Sequence, residues 1–296
     1  MTGFVATFAL ALSLSPGQSE GVLLRWKLKE GDTFYAKTVT TMEQTVTAMG
    51  RDIEQKQEQT TVHRYKVLKA SDKSYTVEQT VLQSITESNL APGGLGDLDK
   101  KMKGATFTVE LDANLKVTKI AGVQELVKKL GEDNPLLKQV LSNMLNDNLM
   151  KKGIEDVFRC GPDRAVKVGD SWKRDESIPL GPLGELSMKQ EYKLAKSKDA
   201  IEEITYGGEA KYGPPKDAAA GGGGLPFTVA KADLKTDKFS GTLLFDSKAG
   251  RTKENKVEMN LSGTMSVKVG ELEVDMDLKQ KLVTKTTLTE KSPVDD

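Results

Sequence analysis

The sequence predicts an α+β protein that is mostly antiparallel β: a curved sheet or open half-barrel with a helical segment packed on its concave face. Three observations predict it. Long stretches alternate polar and apolar residues with period two, as strands with one covered face do. Short polar turns separate those stretches, so that neighbours in sequence become neighbours in a meander. A single strong helical stripe, rich in leucine, lies between the two groups of alternating segments.

Composition agrees with that class. The chain has 296 residues, enough for one large β-rich domain. Only 37% of residues are hydrophobic, while threonine, lysine and glutamate are plentiful, which suits strands with one wet face. Lysine plus arginine and aspartate plus glutamate number 43 each, so no global field attracts nucleic acid or an anionic membrane.

In chain order, an uncharged apolar run at 4–14 (FVATFALALSL) has the length of a secretory leader and is too short to span a bilayer comfortably. Residues 1–20 are therefore expected to be a signal peptide, although no basic residue precedes the run. A mature chain beginning between Gln18 and Val22 would form a single β-rich domain over 21–296, exported to the periplasm or beyond, with no transmembrane span left. An apolar strand or a misassigned start codon is the alternative reading of the run. No cysteine follows it, so no lipid anchor is available there.

The first strand follows the turn at Glu30-Gly31-Asp32 and runs from Thr33 to Ala48, with further strands over 53–69 and 74–89. The less charged face of the second carries Gln55, Gln57, Gln59, Thr61 and His63 before reaching Tyr65 and Val67. The third carries Tyr75, Val77, Gln79 and Val81. Buried amides need partners, so this face fits either a partly hydrated concavity or strands that outrun their core. A surface loop with a helical turn is expected over 90–104, then a hairpin over 107–120. A short helix over Val123–Leu130 ends at Gly131. A longer one over 135–152 starts at an Asx cap and ends at Gly153, with Leu137, Val140, Leu141, Met144 and Leu145 on one side.

The phrase Val166-Lys-Val-Gly-Asp-Ser-Trp172 repeats the pattern of Leu28-Lys-Glu-Gly-Asp-Thr-Phe34. The segment 239–245 with its hairpin parallels 107–120. These parallels point to two related β halves, 21–121 and 165–290, joined by the helical segment 122–160; convergent hairpin turns are the alternative. The Pro/Gly-rich stretch 213–226 reads as a flexible loop and lacks the Gly-Lys-Ser/Thr ending of a phosphate loop. Two final strands alternate most regularly, over 256–269 and 272–279.

Catalytic chemistry has little to build on. His63 and Cys160 are the only residues of their kinds, so zinc sites and Ser-His-Asp hydrolysis lack their usual groups. Cys160 reads as a buried structural thiol. Glu273, Asp275 and Asp277 share a face without an accompanying calcium loop, as a solvated strand face does. Asp32 and Asp170 follow turn glycines and read as turn stabilisers. Trp26 and Trp172 read as core aromatics, with ligand stacking as the alternative. No catalytic, cofactor or metal residue is assigned, the protein is not expected to be an enzyme, and the residues of any ligand site stay open.

At Leu24-Arg-Trp-Lys-Leu-Lys-Glu-Gly-Asp-Thr-Phe34, at the hairpin over 107–122 and at Val166-Lys-Val-Gly-Asp-Ser-Trp172, the chain resembles a family of secreted bacterial proteins known only as a domain of unknown function. The resemblance spans most of the mature chain and implies export, but carries no activity or site residues. A fainter fold-level analogy is to the half-barrels of periplasmic lipoprotein carriers. Together these readings lead to the expectation of a noncatalytic envelope protein binding an apolar or amphipathic ligand. The alternative is a structural or protein-interaction module whose concavity is filled.

Overall fold

The computed structural model describes residues 21–90, 95–132, 147–158, 160–179, 184–214 and 227–294, with 138, 141, 142 and 145. The leader and most of the loop over 213–226 lie outside the described residues.

Eleven strands form one antiparallel sheet in the order β5-β4-β3-β2-β1-β11-β10-β9-β8-β7-β6. They are β1 (Thr33–Ala48), β2 (Arg51–Ala70), β3 (Ser74–Ser88), β4 (Thr106–Asp112), β5 (Val117–Ala121), β6 (Ser171–Pro179), β7 (Glu185–Lys198), β8 (Ile201–Gly213), β9 (Thr228–Asp246), β10 (Arg251–Val269) and β11 (Leu272–Thr289). Three helices are described: α1 (Leu95–Met102), α2 (Val123–Leu130) and α3 (Asp147–Phe158). Every strand pairs with its sequence neighbours except β5 and β6, which stand at the two edges. The first strand pairs with the last, Tyr35 opposite Thr289 through Ala48 opposite Met276. The helical connection from β5 to β6 runs between the two outer edges of the sheet. The two groups of strands are thus halves of one sheet.

That sheet is open and curled. Laid flat, β5 and β6 would stand about 48 Å apart at ~4.8 Å per strand, whereas α3 is about 18 Å long at 1.5 Å per residue. Yet α3 is bonded to both edges. The Glu155 carboxylate accepts the β5 amide of Val117 at 2.9 Å, and Lys152 pairs with Glu176 of β6 at 2.9 Å. The helix therefore lies along the seam, where it covers the unpaired edges that an open sheet must protect.

The main core joins both halves on the concave face. It includes Phe34, Tyr65 and Leu111 from one half, Leu194, Ile204 and Phe245 from the other, and Ile154 and Phe158 from α3. A second cluster packs Val127 and Leu130 of α2, together with Leu141, on Val81 and Phe107. The N-terminal segment enters the main core through Leu24, Trp26 and Leu28.

The repeated glycine-aspartate phrases form the same hydrogen-bonded turn. The Gly31 amide donates to the Val67 carbonyl and the Val67 amide to the Asp32 carbonyl, both at 2.9 Å. In the other half Gly169 donates to Leu194 at 2.8 Å and Leu194 to Asp170 at 3.0 Å. Both glycines have positive φ, 86° and 97°, which a side chain would oppose. Each turn starts a strand whose second residue is an aromatic facing a tyrosine. Phe34 stacks on Tyr65 at 5.0 Å and Trp172 on Tyr192 at 5.7 Å.

Two expectations need correction. The expected helix over 135–152 is interrupted: Lys138, Leu141 and Ser142 are helical, Leu145 lies at a bend, and α3 begins at Asp147. Residues 133–137, 139, 140, 143, 144 and 146 lie outside the described residues, and with them Leu137, Val140 and Met144 of the expected stripe. Gly153 does not end the helix, which continues through it to Phe158. A helical glycine costs about 0.5–1 kcal/mol relative to alanine, less than burying Ile154 and Phe158 returns. The region 90–104 holds a helix of eight residues, α1, instead of a single turn. Ser84 of β3 donates to Asp99 of α1, and Met102 packs on the second cluster.

Candidate ligand cavity

Alternation along β1 turns Phe34, Ala36 and Thr38 toward α3, and pairing places Tyr65, His63 and Thr61 of β2 opposite them. On the other side of β1, Leu288 and Thr286 of β11 face Ala36 and Thr38. Phe34 and Tyr65 fill the space under Trp26 and Phe158, whose rings lie 5.2 Å apart. One step along the strands the side chains become smaller or polar, and the packing opens. A cavity of about 360 Å³ lies there, floored by Thr38, His63, Gln79, Thr252, Asn255 and Thr286, and roofed by Met150, Gly153, Ile154 and Val157 of α3.

The roof residues at 150, 153, 154 and 157 have the spacing of one helix face. Gly153 is exposed where it lines the cavity, and a methyl group built on it would meet nothing within 4 Å.

The floor is polar but uncharged. His63 Nδ1 lies 2.6 Å from the Gln79 amide nitrogen. Because that nitrogen donates, Nδ1 accepts and the ring proton of neutral His63 sits on Nε2. Burial pushes the imidazole down to about 4, since charging it would remove a cation from water. The amide oxygen of Gln79 is buried with no hydrogen-bond partner. Thr38 and Thr286 share a hydroxyl bond at 3.0 Å, and Thr40 and Thr284 one at 3.1 Å. Asn255 accepts from the Tyr206 hydroxyl at 2.8 Å. Among the described residues, no Asp, Glu, Lys or Arg lines the cavity.

A second cavity of about 390 Å³ opens at the seam, between the β4–β5 turn and β6. It is charged, lined among others by Arg25, Lys116, Glu155, Asp163, Lys173 and Arg174. Trp26, whose indole nitrogen is buried without a hydrogen-bond partner, forms part of its wall.

The structure separates the two residues that nucleophilic chemistry would have to unite. Cys160 lines the seam cavity and donates its thiol to the Leu24 carbonyl at 3.2 Å, while His63 lines the cavity under α3. Burial pushes the thiol up to about 12 against an opposing influence from Arg174, which disfavours the thiolate. Asp32 and Asp170 cap their own turns, accepting the Lys29 and Lys167 amides at 3.0 and 3.1 Å. The Lys167 amide, the main cause, holds the Asp170 carboxyl below its ordinary value. Trp26 is core, and Trp172 is half-buried on Tyr192. Asp275 accepts from Ser266, and Glu273 pairs with Lys268 at 3.6 Å. No group of three or more His, Cys, Asp or Glu side chains gathers among the described residues.

The sequence placed His63 and Gln79 each on the less charged face of its own strand, and otherwise marked His63 only as a lone histidine without the partners of zinc or hydrolytic chemistry. Their meeting depends on the bulge between Val62 and His63, which sets His63 opposite Val81 and Tyr65 opposite Gln79. The only signal available was the excess of glutamine and threonine on a face expected to be apolar.

Fold and site together define an open antiparallel half-barrel with a helix across its seam and a cavity beneath that helix. Within that class, the chain belongs to the Family of unknown function (DUF6263), whose model matches residues 39–292. The matched span includes the hairpin over 107–122 and the phrase ending at Trp172. Among solved structures the chain is similar to part of lipovitellin, at 8% identity and a TM-score of 0.43, with 91% of this chain aligned to 26% of that one. It therefore spans about a quarter of the lipovitellin chain. An outer membrane channel from Pseudomonas putida F1 aligns over 93% of this chain and 100% of its own at 10% identity and a TM-score of 0.23. The outer membrane protein OprG from Pseudomonas aeruginosa aligns over 90% and 99% at 8% identity and a TM-score of 0.20. No curated protein matches the chain in sequence.

Proposed function

We propose that this is a noncatalytic protein of the cell envelope that binds an apolar or amphipathic ligand beneath α3. The carrying observation is the cavity itself: about 360 Å³ between helix and sheet, with apolar walls and a few convergent polar groups. Small-molecule pockets typically fall in the range of about 300–1,000 Å³ with such a lining. The alternative, an interaction module with a filled concavity, would call for solid packing at that place. The envelope part of the reading rests on the leader expected at 1–20. Among the described residues no helix is long and apolar enough to cross a membrane.

Native mass spectrometry of the protein purified from its own envelope tests the binding reading. The expected result is a retained small molecule that is lost on Gly153→Phe, because that residue lines the cavity and has room for a larger side chain. A single unliganded mass for the native protein, with added amphiphiles failing to bind, would overturn it. N-terminal sequencing of the same material should give a start between Gln18 and Val22. An intact leader in a soluble cytosolic fraction would remove the envelope assignment.

A further inference from the structure

Four strands carry the concave face away from the cavity. Along β1 it continues from Thr38 through Thr40, Met42 and Gln44 to Val46. Register places Thr284, Leu282, Gln280 and Leu278 of β11 beside the last four. Gln280 reaches Met42 Sδ at 3.1 Å, so these rows share one face. On β2 the corresponding residues are Thr61, Gln59, Gln57, Gln55 and Ile53. On β10 they are Val257, Met259, Leu261 and Gly263. Not one of them is charged. The intervening residues, such as Lys37, Glu43, Lys281 and Lys285, place the charges on the opposite face.

The result is a trough, apolar and hydroxyl- or amide-bearing by turns, that leads from the cavity to the tips of the β1–β2 and β10–β11 hairpins. Eight residues separate Thr38 from Val46, about 26 Å at 3.3 Å per residue, a span suited to a long hydrocarbon chain. At the tips, Met49, Ile53, Val269 and Leu272 are all exposed. The closed end of the trough holds the unusual polar pair. Neutral His63 offers a donor at Nε2, and Gln79 keeps an acceptor buried without a partner. Turning the Gln79 amide over exchanges the roles but still leaves one amide atom orphaned, and such an atom is costly unless something pairs with it.

Resting on the binding reading above, we propose that the ligand is an uncharged single-chain amphiphile. Its head supplies both a hydrogen-bond donor and an acceptor to the His63–Gln79 pair, as a fatty alcohol or monoacylglycerol does, and its chain lies along the trough on β1 and β11. An anionic head would be desolvated against a floor that, among the described residues, offers no cation to meet it. A head without hydrogen-bonding groups would leave the pair unsatisfied.

The test is displacement of a fluorescent fatty-alcohol probe from the mature full-length protein at pH 7.5, by three amphiphilic competitors below their micellar concentrations and, as a control, a headless alkane. Monooleoylglycerol should displace the probe at least tenfold more tightly than oleate or an oleoyl lysophosphatidylglycerol. His63→Leu and Gln79→Met, if their melting temperatures stay close to the parent's, should each weaken monooleoylglycerol about tenfold without weakening a headless alkane. Oleate or the lysophospholipid binding as well as the neutral amphiphile would overturn the proposed head selection while leaving the binding reading intact. Failure of the probe and all three competitors to bind would overturn both. The ligand series on the parent protein carries the test even where a variant does not fold.

Discussion

The same strands build two different environments at their two ends. Near α3, Phe34 and Tyr65 are 2% and 3% exposed and stack at 7° between their planes. At the hairpin tips, Ile53 on the same face of β2 is 51% exposed, and Leu272 at the start of β11 is 57% exposed. Alternation is equally regular at both ends. Period two decides which side of the sheet a residue faces, but not how deeply it is covered. Around Phe34 and Tyr65 the depth comes from α3 and the N-terminal segment; toward the tips Leu261 and Leu278 are still buried, and only the hairpin ends themselves are open.

The largest effect should come from breaking the covered end. Leu141→Asp removes a buried leucine and forces a carboxylate toward Val127 and Phe107, a loss of about 5 kcal/mol from the truncation and desolvation together. Lys138→Asp, at an exposed position one turn earlier, should change stability by less than about 0.5 kcal/mol. Equilibrium urea unfolding compares the two, and equal midpoints would mean that Leu141 does not hold the helical layer to the sheet.

Phe34→Ala should cost about 3–5 kcal/mol, because the ring is enclosed by Trp26, Tyr65 and Phe158. Its lost packing lies where β1, β2, α3 and the N-terminal segment meet. Near-UV circular dichroism should therefore lose signal together with the fall in unfolding midpoint. An unchanged midpoint would contradict the enclosure.

A third effect belongs to the cavity between the two ends. Burial lowers the folded-state value of His63 to about 4 from an ordinary 6.5. Between those values the unfolded chain takes up a proton that the folded protein excludes. The stability associated with neutral His63 is complete above about pH 6.5 and is lost as pH falls toward 4, by on the order of 3 kcal/mol in total. His63→Gln should flatten that part of the stability profile. If parent and variant lose stability in parallel from pH 6.5 to 4, His63 is not buried in its neutral form.

The smallest effect should be at the tips. Ile53→Ala should change the unfolding midpoint by the equivalent of less than about 0.5 kcal/mol, an order of magnitude below Phe34→Ala on the neighbouring strand. A loss approaching that of Phe34→Ala would show that the tips are covered in solution, and the contrast between the ends would disappear.

The sequence by itself determined what is local. Strand β1 could be bounded from Thr33 to Ala48 and α2 from Val123 to Leu130, because alternation, glycine-aspartate turns and helix-stopping glycine act within a few residues. The two aspartate turns were legible for the same reason. Only the tertiary structure decided what joins distant segments: the pairing of β1 with β11, the placement of α3 on both sheet edges, and the meeting of His63 with Gln79 across a bulge. Gly153 shows why. Its local preference favours ending a helix, but burial of Ile154 and Phe158 outweighs that preference and carries the helix over the cavity. Such burial depends on which surfaces the curled sheet brings together, and no short stretch of sequence encodes that.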